Sequence, residues 1–175
     1  MRGAATLNGS LTTDNRRLMT AMPITRIEPG ARGDTRRVAI VQSRFNPPIG
    51  KGLLAGALRA LGGAGVADDR ITLVTVPGAL EIPIALQRLA QTGKYDALVA
   101  LGAVIRGDTY HFDIVANESA AGVSSVALEF GVPIGNGILT CDTDAQAEAR
   151  MSAKGAEAVQ AALELANLLD AIAGQ

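Results

Sequence analysis

The chain predicts an α/β fold, a parallel sheet covered on both faces by helices, and three observations carry that reading. Short β-branched apolar runs alternate with longer stretches of helical period. One run, Tyr95 to Ile105, is apolar almost without interruption, as expected of a central parallel strand buried on both sides. The composition is 48% hydrophobic, rich in small residues and without tryptophan, which suits small-residue helices packed on an aliphatic sheet. At 175 residues the chain can bury one full core and falls short of two.

Taken in order, VAIVQ (Val38 to Gln42) reads as the first strand. A turn with Pro47 and Pro48 leads into GKGLLAGALRALGGAG, whose Leu53, Leu54, Leu58 and Leu61 fall on one helical face. ITLVTV (Ile71 to Val76) is the second strand, and PGALEIPIALQRLAQTG turns into a second helix that Gly93 ends. After the strand from Tyr95 to Ile105 comes a helix from about Asp113 to Phe130. Val132 to Thr140 follows as a fourth strand, and DTDAQAEAR and KGAEAVQAALELANLLDAIA read as two helical segments. Four βα units with a helical carboxyl terminus imply right-handed crossovers and a three-layer arrangement.

Residues 1–35 differ in kind, being rich in Thr, Arg, Gly and Asn and lacking both an apolar signal core and helical periodicity. They read as a disordered or surface-draped extension, with residues 36–175 as a single domain. An organelle transit peptide and a later start at Met19 or Met22 are the alternatives. Sixteen basic residues against seventeen acidic ones leave no field that favours nucleic acid or an anionic membrane, so any anion must be bound locally. The lone Cys141 permits no intrachain disulfide and there is no Cys/His cluster for a metal, which points to a reducing compartment such as the cytoplasm. No apolar stretch approaches the ~18 residues of a membrane span.

Sheets of this kind bind ligands beyond the carboxyl ends of their strands. The unusual residues cluster there: SRFN after the first strand, PGALE after the second, RGDTYHFD after the third, GNG and TCDTD in and after the fourth. A dinucleotide fingerprint is absent from the first turn, and GKG at Gly50 to Gly52 is no P-loop, because Phe45 stands five positions before Gly50 and no Ser or Thr follows Lys51. Ser43-Arg44 and Arg106-Gly107 stand where a phosphoacceptor domain would want acids.

Phe45 can stack on a planar heterocycle or plug the sheet end. Gly78 lets the backbone approach a ligand, and Glu81 either stabilises a helix start or accepts hydrogen bonds from ligand hydroxyls. Gly107, Asp108 and Thr109 lead into a helix and form either an anion site or an ordinary capping turn, for which Arg150 could supply a matching cation. His111 is the only histidine in the chain, and an imidazole suits proton transfer near neutrality. Arg106 and Asp113 read as a structural ion pair around this turn.

RFN, VPGALEIPIAL, GKYDALVALGAVIRGDTYHFDIV, GILT and KGAEAVQAALELANLL, in this order and spacing, resemble the lumazine synthase family over residues 37–169. The resemblance implies a flavodoxin-like α/β/α sandwich with a four-stranded parallel sheet. It also implies a cofactor-independent condensation of 5-amino-6-(D-ribitylamino)uracil with 3,4-dihydroxy-2-butanone 4-phosphate, in the penultimate step of riboflavin biosynthesis. By the same resemblance Phe45 stacks on the pyrimidine, Ala79, Leu80 and Glu81 hold the ribityl chain, and Ala103, Val104 and Ile105 line the ring site. Asp108 and Thr109 contact phosphate, Arg150 comes from a neighbouring subunit to bind it, and His111 transfers protons. The family forms pentamers or multiples of them, with sites between subunits.

Two features depart from the family pattern. Asn136 stands where many members carry an aromatic, and could instead hydrogen-bond the pyrimidine edge. Only MSA separates Arg150 from Lys154-Gly155, a connection shorter than usual between the last two helices. A homologue that binds flavin or lumazine without turnover, and a shell-forming scaffold, are the competing readings.

Overall fold

Parallel strands need long crossovers to bring the chain back to the same end of the sheet, and here helices supply them. The computed structural model describes residues 24–175. The chain runs β1 (Val38–Ser43), α1 (Pro47–Gly63), β2 (Ile71–Val76), α2 (Ile82–Gln91), β3 (Ala97–Ile105), α3 (His111–Phe130), β4 (Ile134–Cys141) and α4 (Asp144–Ala173), with short 3₁₀ turns at Asp68–Arg70 and Ala79–Glu81. All four strands are parallel in the order β2-β1-β3-β4, the flavodoxin-like order, and its direction reverses between β1 and β3.

Alternation along the strands sorts the core into two layers. Val38 and Ile40 of β1, with Val99 and Leu101 of β3, pack under Leu53 and Leu61 of α1 and Val159 and Leu163 of α4. Ala39 and Val41 of β1, with Leu98 and Ala100 of β3, face Ile82 and Leu86 of α2 and Val123 and Val126 of α3. Each of the large aliphatic side chains removed from water in this way contributes about 1.5–3 kcal/mol. The expected three-layer α/β/α sandwich is therefore what the chain forms.

Register builds the floor of the site. β1 pairs with β3 only from Val38 to Gln42, opposite Ala97 to Leu101, whereas β3 continues beside β4 as far as Ile105. The last four residues of β3 thus have a free edge above the end of β1. The Asn46 amide donates to the Ala103 carbonyl at 3.3 Å there, in place of a strand partner.

The structure departs from the sequence expectation in several places. The last two helical segments are one continuous helix, because MSA between Arg150 and Lys154 contains no breaker and Gly155 sits mid-helix against the α1 backbone. A Cβ on Gly155 would overlap the Leu53 carbonyl, and one on Gly56 would overlap the Ser152 carbonyl. α1 and α4 therefore meet backbone to backbone. Leu58 is 43% exposed and Leu54 only half-buried, since the buried stripe of α1 runs through Ile49, Leu53, Gly56, Ala57 and Leu61. α3 begins at His111 rather than near Asp113, β3 begins at Ala97, and β4 spans Ile134–Cys141.

Residues 24–36 contain no helix or strand, and part of them is tied to the domain. The Asn167 amide of α4 donates to the carbonyls of Gly30 and Arg32 at 2.6 and 2.9 Å, while its oxygen accepts from Arg36 at 2.7 Å. The expectations for a disordered extension, a transit peptide and an alternative start fall largely on residues 1–23, outside the described residues. Among the described residues no helix is long and apolar enough to cross a membrane.

Candidate active site

The turn after β1 is shaped to put an aromatic ring in the open. Arg44 and Phe45 donate their backbone N–H groups to the carbonyls of Val76 and Pro77, which carries the β1–β2 pairing past the strand ends. Asn46 then turns the chain at φ 55°, a left-handed conformation that asparagine tolerates better than most residues. Pro47 and Pro48 open α1, where their fixed φ suits a first turn and their missing N–H groups cost nothing. Phe45 is left 68% exposed. An apolar ring held in solvent by its backbone is available for stacking.

Across the sheet's end, Gly78 donates its N–H to Glu81 Oε2 at 2.8 Å, so the carboxylate is fixed over the 3₁₀ turn that contains Ala79 and Leu80. One carboxylate oxygen is engaged with the backbone. The other makes no hydrogen bond among the described residues and can accept from ligand hydroxyls.

From β3, Arg106 leads through Gly107, Asp108 and Thr109 into α3, whose first residue is His111. Among the described residues no side chain caps this helix start. Its first-turn N–H groups, with the positive end of the helix dipole, favour an anion. Phe45, Ala79, Leu80, Glu81, Ala103, Val104, Ile105, Thr109 and His111 all line one cleft of about 330 Å³. That volume falls in the range of small-molecule sites. The cleft lies at the end of β1 and β3, where the strand order reverses.

Three of the expected residues lie elsewhere. Asp108 is exposed on the same turn without lining the cleft. Asn136 and Arg150 line a second depression of about 360 Å³ along β4, together with Lys154. The Asn136 oxygen accepts from the Ile138 N–H at 2.9 Å, so that amide is turned onto its own strand. Arg150 donates to the Gln146 carbonyl at 2.8 Å and is otherwise exposed. Because β4 is the edge of the sheet, these side chains are presented away from the chain's own cleft.

Sequence reasoning missed Asn46, Phe112 and Val115 as cleft residues. Asn46 had a signal, an asparagine between an aromatic and a Pro-Pro pair, which marks a turn with a left-handed residue. Phe112 and Val115 had none, since the face that α3 turns to the cleft depends on packing. Arg106 does pair with Asp113, at 3.4 Å, but its shorter bond is to Asp142, where Nε donates to Oδ1 at 2.8 Å. Residues so far apart in sequence are not paired by any local rule. The hydrogen bond to Asp142, with the charges of both acids, raises the Arg106 pKa above its ordinary value.

Sheet order and a cleft at its point of reversal make the protein a flavodoxin-like α/β domain built to hold a small molecule. Comparison with known proteins narrows that class. The profile of the 6,7-dimethyl-8-ribityllumazine synthase family matches residues 35–170. The 6,7-dimethyl-8-ribityllumazine synthase of Paraburkholderia phymatum is 53% identical over 151 residues, which cover 86% of this chain and 88% of the relative. That of Burkholderia multivorans is 54% identical over the same coverage, and that of Burkholderia mallei 54% identical over 84% of this chain and 85% of its own. The chain belongs to the 6,7-dimethyl-8-ribityllumazine synthase family.

Proposed function

We propose that the protein condenses 5-amino-6-(D-ribitylamino)uracil with 3,4-dihydroxy-2-butanone 4-phosphate to give 6,7-dimethyl-8-ribityllumazine, releasing phosphate and water, in riboflavin biosynthesis in the cytoplasm. The observation that carries this reading is the meeting of Phe45, Glu81 and His111 in one cleft, within a chain that belongs to this family. Phe45 stacks on the pyrimidine. Glu81, held by the Gly78 N–H, takes the ribityl hydroxyls, and the strand end from Ala103 to Ile105 receives the ring edge. The turn from Gly107 to Thr109 takes the phosphate at the start of α3.

The substrate amine attacks the ketone and loses water to an imine; phosphate then leaves by elimination, the resulting enol tautomerises to a second carbonyl, and the second amine closes the ring on that carbonyl with loss of a second water. Every step moves protons between nitrogen, carbon and oxygen. None requires a stronger acid or base than an imidazole, so His111 serves as the shuttle while positioning supplies most of the acceleration.

Arg150 faces away from its own cleft, which supports a homopentamer in which each site takes this guanidinium from the neighbour. The exposed rings of Phe45 and Tyr110 and the open edge of β4 are surfaces that such a neighbour would cover. A planar guanidinium from across the interface would pair with the phosphate bidentately.

The deciding experiment follows lumazine formation by absorbance and green fluorescence, against the slow uncatalysed condensation. Rate enhancement is expected, with KM for the phosphate substrate raised in Arg150→Ala. Co-folding His111→Ala with Arg150→Ala chains should restore part of the activity that each lacks, because mixed interfaces pair an intact His111 with an intact Arg150. No enhancement, with tight flavin binding, would replace the enzyme by a binding protein; no restoration would remove the shared site.

A further inference from the structure

Arg106 lies outside the cleft, yet its contacts converge on the helical turn that presents His111. Its guanidinium stands 4.0 Å from the centroid of the Phe112 ring, and its Nη1 donates to Asp113 Oδ2 at 3.4 Å. Phe112 and Asp113 are the two residues after His111, and Phe112 itself lines the cleft. The third contact, from Nε to Asp142 Oδ1 at 2.8 Å, reaches the turn between β4 and α4.

Asp142 is fixed in turn. Its N–H donates to Gln146 Oε1 at 3.0 Å, and the Gln146 N–H donates to the Thr143 hydroxyl that caps α4. The Arg106 N–H donates to the Cys141 carbonyl at 2.9 Å, so both ends of the bridge rise from paired strands. One planar cation thus fastens the first turn of α3 to the sheet and to the start of α4.

This arrangement contributes little to stability, because the side chains of Arg106 and Asp142 are 46% and 64% exposed and surface pairs are weak. Orientation is what it restricts. A guanidinium stacked on a ring and forked between two carboxylates has few alternative poses. His111 has no other such restraint: no side chain caps α3, and no hydrogen bond holds the imidazole among the described residues.

We propose that Arg106 is a positioning residue for the reaction, clamping Phe112 and Asp113 to Asp142 so that the His111 imidazole is aimed into the cleft. This rests on the reading of His111 as the proton-transfer group. Misaiming a reacting group by a fraction of its reach is costly even when every contact with substrate survives.

The test is a double-mutant cycle between Arg106→Met and His111→Ala, with kcat measured on the assembled protein at saturating levels of both substrates. Arg106→Met is expected to lower kcat about 5- to 10-fold, within the ~10²-fold reach of a general acid/base group, and to leave both KM values within about twofold. In the His111→Ala background the same change should cost less than about twofold, because a residue acting through another loses its effect when that other is gone. Asp142→Asn should reproduce the loss, and Arg106→Lys, which keeps the charge without the planar fork, should recover part of it.

With one histidine in the chain, a histidine-labelled sample gives a single set of imidazole resonances. They should shift or broaden in Arg106→Met and stay in place in Asn167→Leu, which cuts a clasp elsewhere. An equal loss of kcat in both backgrounds, or no loss at all, would overturn the proposal. So would a rise in KM for the phosphate substrate with kcat intact, which would show that the bridge acts on Arg150 through α4. Failure of the underlying reading is separately visible: His111→Ala alone would then leave kcat unchanged.

Discussion

At the seam between α1 and α4, Gly56 faces the Ser152 carbonyl and Gly155 faces the Leu53 carbonyl, with no room for a methyl group. At the carboxyl edge of the sheet, Phe45, Glu81 and His111 stand exposed, held by a left-handed turn, one backbone hydrogen bond and the start of a helix. The seam is made of backbone that cannot move; the edge is made of side chains that touch little of their own chain. Close packing and the lining of the cleft are thereby kept in different residues, and changes to one should spare the other.

The largest test of that separation is Gly155→Ala. In an open helix this change would gain about 1 kcal/mol of propensity. Here the added methyl meets the Leu53 carbonyl, which belongs to a packed helix, so a net loss of about 3 kcal/mol or more is expected, read as a lower midpoint in denaturant. Activity should fall only in proportion to the unfolded fraction. A neutral or stabilising outcome would mean that α1 and α4 can separate at no cost.

His111→Ala should do the converse. Expected is a drop in kcat of about 10²-fold without complete loss, together with an unfolding midpoint equivalent to within about 0.5 kcal/mol of the parent. Next in size, Phe45→Ala should raise KM for the pyrimidine substrate about tenfold, the scale of a lost stacking contact of ~1.4 kcal/mol, with stability unchanged. A large stability loss there would show that the ring plugs the sheet after all.

Smallest is Asn167→Leu, which removes the clasp on Gly30, Arg32 and Arg36 at the far side of α4. About 1 kcal/mol of stability should go, with faster proteolysis in the segment before Gly33 and kcat unaltered. A change in kcat would break the separation between the two regions.

Much of the lining of the candidate cleft was legible because the rule for parallel sheets makes the loop after each strand the place to look. Phe45, Glu81, Thr109 and His111 are unusual residues in those loops, and they do meet in one cleft. The bond from Arg106 to Asp142 was not readable, because it joins turns after different strands and only the β3–β4 register brings them together. Asn136 and Arg150 were legible as polar residues near strand four, whereas their placement along an edge strand required the strand order.

By itself, then, the chain determined the alternation of strands and helices, the central place of β3 and most of the residues that line the cleft. These follow from hydrophobic period, turn chemistry and composition, which act over a few residues at a time. The tertiary structure decided that α4 runs unbroken past Gly155, that Leu58 stays outside the core, and that β3 outruns β1 to leave an edge for Asn46. Each of these depends on close packing or register between segments distant in sequence, where a neighbour's carbonyl or the end of a strand outweighs the local preference.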